Sequence, residues 1–394
     1  MATLKTKVLN IEFENPFLLS SAPPTARIDS IDKAFELGWG GAVLKTITPD
    51  NLEMVEASPR YAAWKHNNQV YGFENIELLS HLTVQEWLDG IARLKSKHPT
   101  KVIIASIMAP VIKEEWQKLV ETFNNTLIDA FELNFSCPHG MPEKGIGMAI
   151  GTNPEISADI TKWVKEVSKK PVFVKLSPNV SNIAEITRAV IKAKADGLAA
   201  INTIQSIMGV DLDTFEPHPN VNGTSTFGGY SGMAVKPIGL RCVAQIRQET
   251  DKPILGIGGI SNWRDAAEYL AIGADVVQVC TEVMLKGYGI IKPMCEGFLK
   301  YLDSKGFQSP MDLKNKAFKK LTSHENLQKQ CQYYPTVDRE LCIRCGKCVA
   351  ICGEQEHSAL HLDKEKGIVV NKEKCMGCSL CSIVCPQNAI KMKK

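Results

Sequence analysis

The chain has 394 residues, which is enough for one large domain and a second, small one. Its formal net charge of +3 and its 44% hydrophobic residues are ordinary for a globular protein, and they give no indication of nucleic-acid binding. The N-terminal sequence MATLKTKVLN has no apolar signal region, and no apolar run is long enough to cross a membrane. We therefore expect a cytoplasmic protein with no membrane partner, in a reducing compartment.

Short apolar runs alternate with amphipathic patterns from about residue 15 to residue 300. The predicted strands are Phe17–Ser21, Ala42–Thr46, Val102–Met108, Ala130–Ser136, Val172–Ser177, Leu198–Thr203, Ile254–Gly258 and Val276–Thr281. The clearest predicted helices are Val84–Lys97, Glu115–Asn124, Glu155–Val167, Ile183–Ala193, Ile238–Gln248 and Trp263–Leu270. Continuously apolar strands that alternate with helices indicate a buried parallel sheet. Eight such units predict an α/β fold of the closed (β/α)8 type, a TIM barrel. A doubly wound open sheet is the alternative, but no GxGxxG follows the first strand.

Polar and glycine residues stand where seven of the eight predicted strands end, which is the side of a (β/α)8 barrel that carries chemistry. Each one alone could be a turn residue or a satisfied polar group of the core. Their recurrence is not a pattern that packing alone predicts, and the glycines after the seventh strand suit a phosphate. The residues are Ser20, Ser21, Lys45, Thr46, Asn134, Ser136, Cys137, Lys175, Asn202, Thr203, Gly256, Gly258, Gly259, Cys280 and Thr281.

The cysteines are distributed unevenly. Eight of the 13 lie after residue 340. An odd number without a signal peptide favours metal binding or chemistry over a disulfide framework. A polar, lysine-rich stretch with two short helical patterns precedes them. We therefore predict a barrel domain over residues 1–302, a linker over 303–335 and a small domain over 336–394.

Two cysteine runs in this last segment have the same spacing, CxxCxxCxxxC. The first begins at Cys342 and the second, followed by Pro386, begins at Cys375. In this duplicated pattern the fourth cysteine of each run ligates the other cluster, so the sequence predicts two [4Fe–4S] clusters. The predicted ligands are Cys342, Cys345, Cys348 and Cys385 for one cluster, and Cys375, Cys378, Cys381 and Cys352 for the other.

Zinc is the alternative for paired CxxC motifs, but zinc takes its ligands in pairs rather than in triplets with a trailing fourth. Residues 337–392 resemble the bacterial two-cluster ferredoxins, which implies a small α+β domain. Gly353 departs from that pattern, because a proline usually follows the fourth cysteine. The other cysteines, Cys242, Cys295 and Cys331, are interpreted as packing residues.

Five motifs of the N-terminal domain are more specific than the barrel pattern. They are ELNFSCPHGM (Glu132–Met141), FVKLSPN (Phe173–Asn179), AINT (Ala200–Thr203), GGYSG (Gly228–Gly232) and GIGGI (Gly256–Ile260). With these motifs the chain resembles the dihydroorotate dehydrogenase/dihydropyrimidine dehydrogenase family. With the ferredoxin module it resembles in particular the FMN/iron–sulfur subunits of NAD-dependent dihydropyrimidine dehydrogenases.

The resemblance implies a role for each matching residue. Cys137 matches the general acid/base, on a glycine-rich loop that resembles a lid. For Cys137 alone, a buried inert thiol is the other interpretation. The residues that match or flank the pyrimidine site are Asn75, Asn134, Ser136, Asn202 and Thr203. The residues that match or flank FMN contacts are Ser21, Lys45, Thr46, Lys175, Gly232, Gly258, Gly259, Cys280 and Thr281.

The implied activity is reduction of the 5,6 double bond of uracil or thymine, or the reverse reaction. FMN N5 would supply the hydride and Cys137 the proton. The chain has no recognisable NAD(H) site. Electrons from NADH would therefore arrive from a partner FAD/iron–sulfur flavoprotein subunit and pass through the two clusters, in a homodimer or heterotetramer. Two alternatives stay open: a dihydroorotate dehydrogenase with a fused ferredoxin, and an electron-transfer subunit with a non-catalytic barrel.

Overall fold

The computed structural model describes residues 2–52, 55–135 and 146–394. The chain divides into two compact units, Met1–Lys320 and Leu321–Lys394. No helix in these described ranges combines the length and the apolar character that a membrane span requires.

The first unit is built on a closed barrel of eight parallel strands. Each strand pairs with the next barrel strand in the chain, and the last pairs with the first. This arrangement confirms the (β/α)8 prediction and excludes the open sheet. The observed strands end one to three residues earlier than predicted, because the polar residues at their ends already belong to the loops. The barrel strands are β3 (Phe17–Leu19), β4 (Gly41–Val43), β7 (Val102–Ile107), β8 (Ala130–Asn134), β9 (Val172–Leu176), β10 (Gly197–Ala200), β13 (Ile254–Ile257) and β14 (Val276–Val279).

Helices pack around the barrel and cover its outer face. All six predicted helices are present. The first of them, Val84–Lys97, is capped by Thr83, whose hydroxyl accepts a hydrogen bond from Glu86 N at 3.2 Å in a capping box. The helices are α1 (Ile28–Glu36), α2 (Val84–Lys97), α3 (Lys113–Asn124), α4 (Met148–Gly151), α5 (Pro154–Val167), α6 (Ile183–Lys192), α7 (Lys236–Glu249), α8 (Trp263–Ile272), α9 (Thr281–Lys286) and α10 (Ile291–Ser304).

Two smaller sheets of this unit were not predicted. One is the antiparallel hairpin of β1 (Thr6–Val8) and β2 (Ile11–Phe13). The other has the order β11-β12-β6-β5 and carries Asn75 at the end of one strand. Its strands lack a continuous apolar run because much of this sheet is exposed. The strands are β5 (Tyr61–His66), β6 (Gln69–Asn75), β11 (Ile204–Ser206) and β12 (Gly228–Ser231).

The segment 303–335, predicted as a linker, is shared between the two units. Residues up to 320 belong to the barrel unit. Leu313 is buried in the barrel's apolar core, and the Lys314 ammonium lies 2.5 Å from the Asp275 carboxylate. Short 3-10 helices at Pro310–Asp312, Phe318–Lys320 and His324–Asn326 correspond to the helical patterns in the sequence.

The second unit is a small α+β fold. Two antiparallel strand pairs, β15–β18 and β16–β17, accompany two short helices. Its bounds are β15 (Tyr334–Val337), α11 (Lys347–Glu354), β16 (Leu360–Asp363), β17 (Gly367–Val370), α12 (Leu380–Ile383) and β18 (Ile390–Lys393). The fold class predicted for the whole chain is thus confirmed.

Candidate functional site

The barrel interior is layered, apolar below and polar above. Alternate strand residues point inward. The lower layer is apolar, and the β1–β2 hairpin closes it with Val8, Ile11 and Phe13. Further along six of the eight strands, towards their carboxyl ends, the inward side chains are buried and polar instead, and β8 contributes two of them. They are Ser20, Lys45, Ser106, Glu132, Asn134, Lys175 and Gln278.

A cavity opens above this polar layer, at the carboxyl ends of the strands. The residues predicted for substrate and FMN meet there, apart from two that lie outside the described residues, Ser136 and Cys137. The cavity is lined by Ser21, Lys45, Thr46, Asn75, Asn134, Lys175, Asn202, Thr203, Gly232, Gly258, Gly259, Cys280 and Thr281. The positions chosen from the sequence therefore share one cavity, whereas their individual roles remain proposals.

Side-chain amides and hydroxyls form a connected network on one wall of the cavity. Asn134 Nδ2 donates to Thr46 Oγ1 at 2.9 Å, and Asn202 Nδ2 donates to Asn134 Oδ1 at 3.4 Å. Asn202 Oδ1 in turn accepts from the Thr203 N–H at 2.8 Å. Asn75 lies on β6 of the four-stranded sheet, and its Nδ2 donates to Gly229 O on the neighbouring strand β12 at 3.1 Å. Such a network fixes the amide orientations before a ligand arrives.

Two buried ion pairs place charge in and below the cavity. The Lys45 ammonium lies 3.2 Å from the Glu77 carboxylate, and both side chains are less than a tenth exposed. The Tyr61 hydroxyl donates to the same carboxylate. Burial, followed by this hydrogen bond, raises the pKa of Tyr61 to about 12. The second pair joins Lys175 Nζ to Glu132 Oε1 at 3.5 Å.

Glycine backbone shapes the opposite wall. Gly258 and Gly259 have φ values of +123° and +67°, and Gly232 has +93°. A Cβ at Gly259 would lie 2.7 Å from Lys236 N, the first residue of α7, and 2.9 Å from Gly232 O. Only glycine leaves room here, beside the N-terminus of a 14-residue helix. Open backbone N–H groups at such a place suit a phosphate.

These features fit FMN. The wall formed by Gly232, Gly258 and Gly259, which we call the glycine wall, suits its phosphate. The ammonium groups of Lys45 and Lys175 suit the electron-rich edge of its ring system. The buried Gln278 Oε1, which accepts no hydrogen bond from the described residues, suits a hydroxyl or N–H donor. Cys280 also lines the cavity. Burial raises the pKa of this thiol to about 11, so it stays protonated at neutral pH.

In the second unit, the eight cysteines surround two separate cavities, and each cavity has one predicted ligand set. Cys342, Cys345, Cys348 and Cys385 line one of them, and Cys352, Cys375, Cys378 and Cys381 line the other. The structure therefore places the fourth cysteine of each run with the other run, as predicted.

Backbone N–H groups point at two of these sulfurs. Ala359 N donates to Cys352 Sγ at 3.3 Å, and Ala389 N donates to Cys385 Sγ at 3.2 Å. Among the described residues, no three Cys, His, Asp or Glu side chains converge on a site for a single metal ion. Each quartet instead combines three cysteines of one run with the fourth of the other, which is the arrangement that two cubane clusters require.

A (β/α)8 barrel with a flavin-type cavity, joined to a ferredoxin-type module, defines the class of an iron–sulfur flavoprotein oxidoreductase. The comparisons with known proteins agree. Residues 3–302 match the dihydroorotate dehydrogenase family, and residues 335–392 match the 4Fe-4S dicluster domain. The chain belongs to the dihydroorotate dehydrogenase family and carries a 4Fe-4S dicluster domain at its C-terminal end.

Three relatives cover most of the chain. The NAD-dependent dihydropyrimidine dehydrogenase subunit PreA of Escherichia coli is 38% identical over 89% of this chain and 85% of its own. The chloroplastic dihydropyrimidine dehydrogenase (NADP(+)) of Arabidopsis thaliana is 36% identical over 83% of this chain and 80% of its own. The catalytic subunit of dihydroorotate dehydrogenase B (NAD(+)) of Pyrococcus abyssi is 37% identical over 80% of this chain and 99% of its own. The dihydroorotate dehydrogenase family binds FMN, and the dicluster domain indicates two iron–sulfur clusters.

Among the residues that the sequence did not assign to this site are Glu132 and Gln278, and also Glu77. The first two could have been found, because each interrupts an apolar strand at an inward position, in AFELN and VVQV. Glu77 follows the unpredicted strand β6, and nothing in its local sequence indicates that it pairs with Lys45.

Proposed function

We propose that this chain reduces the 5,6 double bond of a neutral pyrimidine, uracil or thymine, to the dihydropyrimidine, or catalyses the reverse. The observation that carries the proposal is the charge balance of the cavity. Both lysines among its described lining residues, Lys45 and Lys175, have a buried carboxylate partner. Such a cavity suits an uncharged ring better than a carboxylate such as orotate.

The amide groups support the same substrate class. A pyrimidinedione presents alternating C=O and N–H groups along its edge. Asparagine carries both an acceptor and a donor, so Asn75, Asn134 and Asn202 can match either group. Thr203 adds a hydroxyl that can donate or accept a hydrogen bond, and the carboxylate of Glu77 is an acceptor for a ring N–H. These residues would hold the ring in one orientation, which supplies much of the advantage of an enzyme over solution.

FMN, when bound, supplies the hydride for this reaction. In our proposal the chain's own residues do the rest. The glycine wall at Gly258 and Gly259 would receive the phosphate, with Ser21, Thr46, Gly232, Cys280 and Thr281 among the further contacts. Lys45 and Lys175 would stabilise negative charge on the ring system. Cys137, with Ser136 beside it, would deliver the proton to the carbon next to the one that receives the hydride. The Cys280 thiol, which stays protonated at neutral pH, is one of the FMN contacts and not the proton donor in this scheme.

Electrons would reach the barrel through the two clusters of the C-terminal unit. The E. coli relative is, by its name, a subunit of a larger enzyme. We propose that this chain likewise works with a second, NADH-oxidising FAD/iron–sulfur subunit, in a homodimer or heterotetramer. The isolated chain should then oxidise NADH poorly but accept electrons from a low-potential artificial donor.

The test is anaerobic reduction of the reconstituted chain, followed by stopped-flow re-oxidation of the flavin. Uracil, thymine, orotate and buffer alone are compared at equal FMN occupancy. We expect re-oxidation by uracil or thymine, and a rate with orotate close to that of buffer. Faster re-oxidation by orotate than by either pyrimidine would assign the dihydroorotate reaction instead. No acceleration by any of the three would favour an electron-transfer subunit.

A further inference from the structure

Glu132 lies where an apolar side chain would be expected. It is on β8 inside the barrel, directly below the cavity, and it is fully buried. Its inward neighbour on the same strand, Ala130, belongs to the apolar lower layer. A buried carboxylate costs stability, and apolar side chains of similar size usually replace such ion pairs without loss. The barrel therefore retains a charge that its packing does not require.

Two residues hold this carboxylate from different directions. On the neighbouring strand β9, Lys175 Nζ lies 3.5 Å from Glu132 Oε1. On β14, which lies four strands away in the closed barrel, Gln278 Nε2 donates to Glu132 Oε2 at 2.6 Å. Gln278 thus reaches across the barrel interior. The three side chains form one layer, which we call the Glu132–Gln278–Lys175 layer.

The geometry differs from that of a saturated structural ion pair. Glu132 Oε1 and Gln278 Oε1 accept no hydrogen bond from the described residues. At 3.5 Å the lysine is paired with Glu132 by charge, and among the described residues its ammonium donates no hydrogen bond. Lys175 and Gln278 line the cavity, whereas Glu132 lies behind them. The carboxylate thus compensates the charge of Lys175 and leaves the donors of this lysine to a ligand above it.

We propose that Glu132, held by Gln278, is a positioning residue that balances the charge of Lys175 beneath the FMN. The ring system of oxidised flavin is neutral, and reduced flavin carries negative charge near N1. An uncompensated lysine would therefore favour the reduced form strongly. With Glu132 in place the preference is smaller, and the flavin potential is kept low. This inference rests on the FMN site alone and is independent of which pyrimidine is reduced.

The test compares the dissociation constants of oxidised and reduced FMN in the full chain. Both are measured anaerobically by ultrafiltration of apoprotein with added FMN, the second in excess dithionite. No pyrimidine is present, so failure of the proposed function would not affect the result. We expect Glu132→Gln to bind reduced FMN more tightly relative to oxidised FMN than the wild type does, by about tenfold, since one buried charge is removed. The flavin potential rises accordingly.

Two further variants keep the test decisive. The exchange Glu132→Gln with Gln278→Glu returns a carboxylate to the same layer, and it should bring the ratio of the two constants back towards the wild-type value. Asp275→Asn removes another buried carboxylate of the barrel, which pairs with Arg247 at 3.2 Å outside the cavity lining, and it should leave the ratio unchanged. An unchanged ratio in folded Glu132→Gln overturns the proposal. The proposal is also overturned if the ratio in the exchange variant differs from the wild-type value as much as it does in Glu132→Gln. It is overturned as well if the exchange variant is folded but binds no FMN.

Discussion

The barrel unit buries its apolar side chains in two large clusters, one inside the barrel and one between barrel and helices. In the ferredoxin-type unit the buried cluster consists of Cys348, Leu360 and Ile390. Three of the side chains packed against it are also cysteines, namely Cys352, Cys381 and Cys385. The barrel can thus shape its cavity before a ligand arrives, whereas the small unit lacks an apolar core large enough to replace its clusters.

Removal of iron should show the difference between the two units most clearly. When the clusters are stripped by a chelator, we expect residues 321–394 to become fully sensitive to protease, because cluster binding supplies their folding free energy. Residues 1–320 should remain resistant. Limited proteolysis with mass spectrometry measures both, with untreated and cluster-reconstituted protein as controls. A stripped C-terminal unit that resists protease as well as the untreated one would show that its small core suffices.

Substitution of Cys137 should abolish chemistry in the barrel without affecting the clusters. A positioned proton donor contributes roughly a hundred- to ten-thousand-fold in rate. Cys137→Ala should lose pyrimidine reduction by about that factor, while FMN occupancy and cluster reduction by dithionite stay normal. Cys137→Ser should retain slightly more activity, since a hydroxyl keeps the geometry but is a weaker acid.

Stopped-flow re-oxidation of the flavin by uracil measures this prediction, with FMN occupancy checked in each variant. Equal rates in wild type and Cys137→Ala at equal occupancy would mean that Cys137 is an inert thiol and that its assigned role does not apply to this chain.

Replacement of glycine by alanine should have a larger effect in the cavity than at a glycine of similar backbone conformation elsewhere. Gly259→Ala places a Cβ 2.7 Å from Lys236 N at a φ of +67°, so we expect FMN to bind roughly ten- to a hundredfold more weakly. Gly306→Ala is the matched control, because Gly306 has a φ of +68° but nothing within 4 Å of an added Cβ. It should lose about 1 kcal/mol of stability and keep its FMN affinity.

Isothermal titration of apoprotein with FMN measures the affinities, and urea unfolding measures the stabilities. If both variants lose FMN affinity equally, strain alone explains the effect, and the glycine wall does not make a specific contact.

The smallest predicted effect concerns the ionisation of one thiol of the barrel unit, Cys280. Burial raises the pKa of Cys280 from 9.0 to about 11. The thiol therefore ionises at lower pH in the unfolded chain than in the folded one. Between these two pH values its ionisation favours unfolding, and stability falls as pH rises.

We expect iodoacetamide to label Cys280 slowly in the FMN-free protein at pH 8, and faster only as the pH approaches 11. Peptide mass spectrometry over a pH series measures the rate, with the urea-unfolded chain as the reference. A folded-state rate at pH 8 that equals the unfolded rate would mean that the pKa of this thiol is not raised in the folded protein.

The sequence predicted those parts of the molecule that depend on regular patterns. The eight barrel strands follow from continuous apolar runs, and the cysteine quartets follow from a repeated spacing that one cluster type requires. The polar residues at strand ends converge because parallel strands bring their carboxyl ends to the same side. All three are consequences of local sequence combined with one general rule of topology.

Long-range contacts explain what was missed. The exposed sheet that carries Asn75 lacks apolar periodicity, and its strands come from segments more than a hundred residues apart. Glu77 meets Lys45 through this sheet and its following loop, and Gln278 meets Glu132 across the barrel. No local pattern encodes such pairs. The first half of the predicted linker likewise packs on the barrel core through two apolar side chains, Leu313 and the partly buried Phe307, in a mostly polar stretch.

The most direct test of the central claim, that the cavity is balanced for a neutral ring, is equilibrium binding of uracil and orotate to the oxidised holoprotein. Perturbation of the flavin absorbance reports both ligands. We expect the wild type to bind uracil at least about tenfold more tightly than orotate, because both cavity lysines are paired. Glu77→Gln leaves Lys45 without its carboxylate partner and should narrow or reverse that ratio. Orotate binding in the wild type as tight as uracil binding, or an unchanged ratio in Glu77→Gln, would contradict the account.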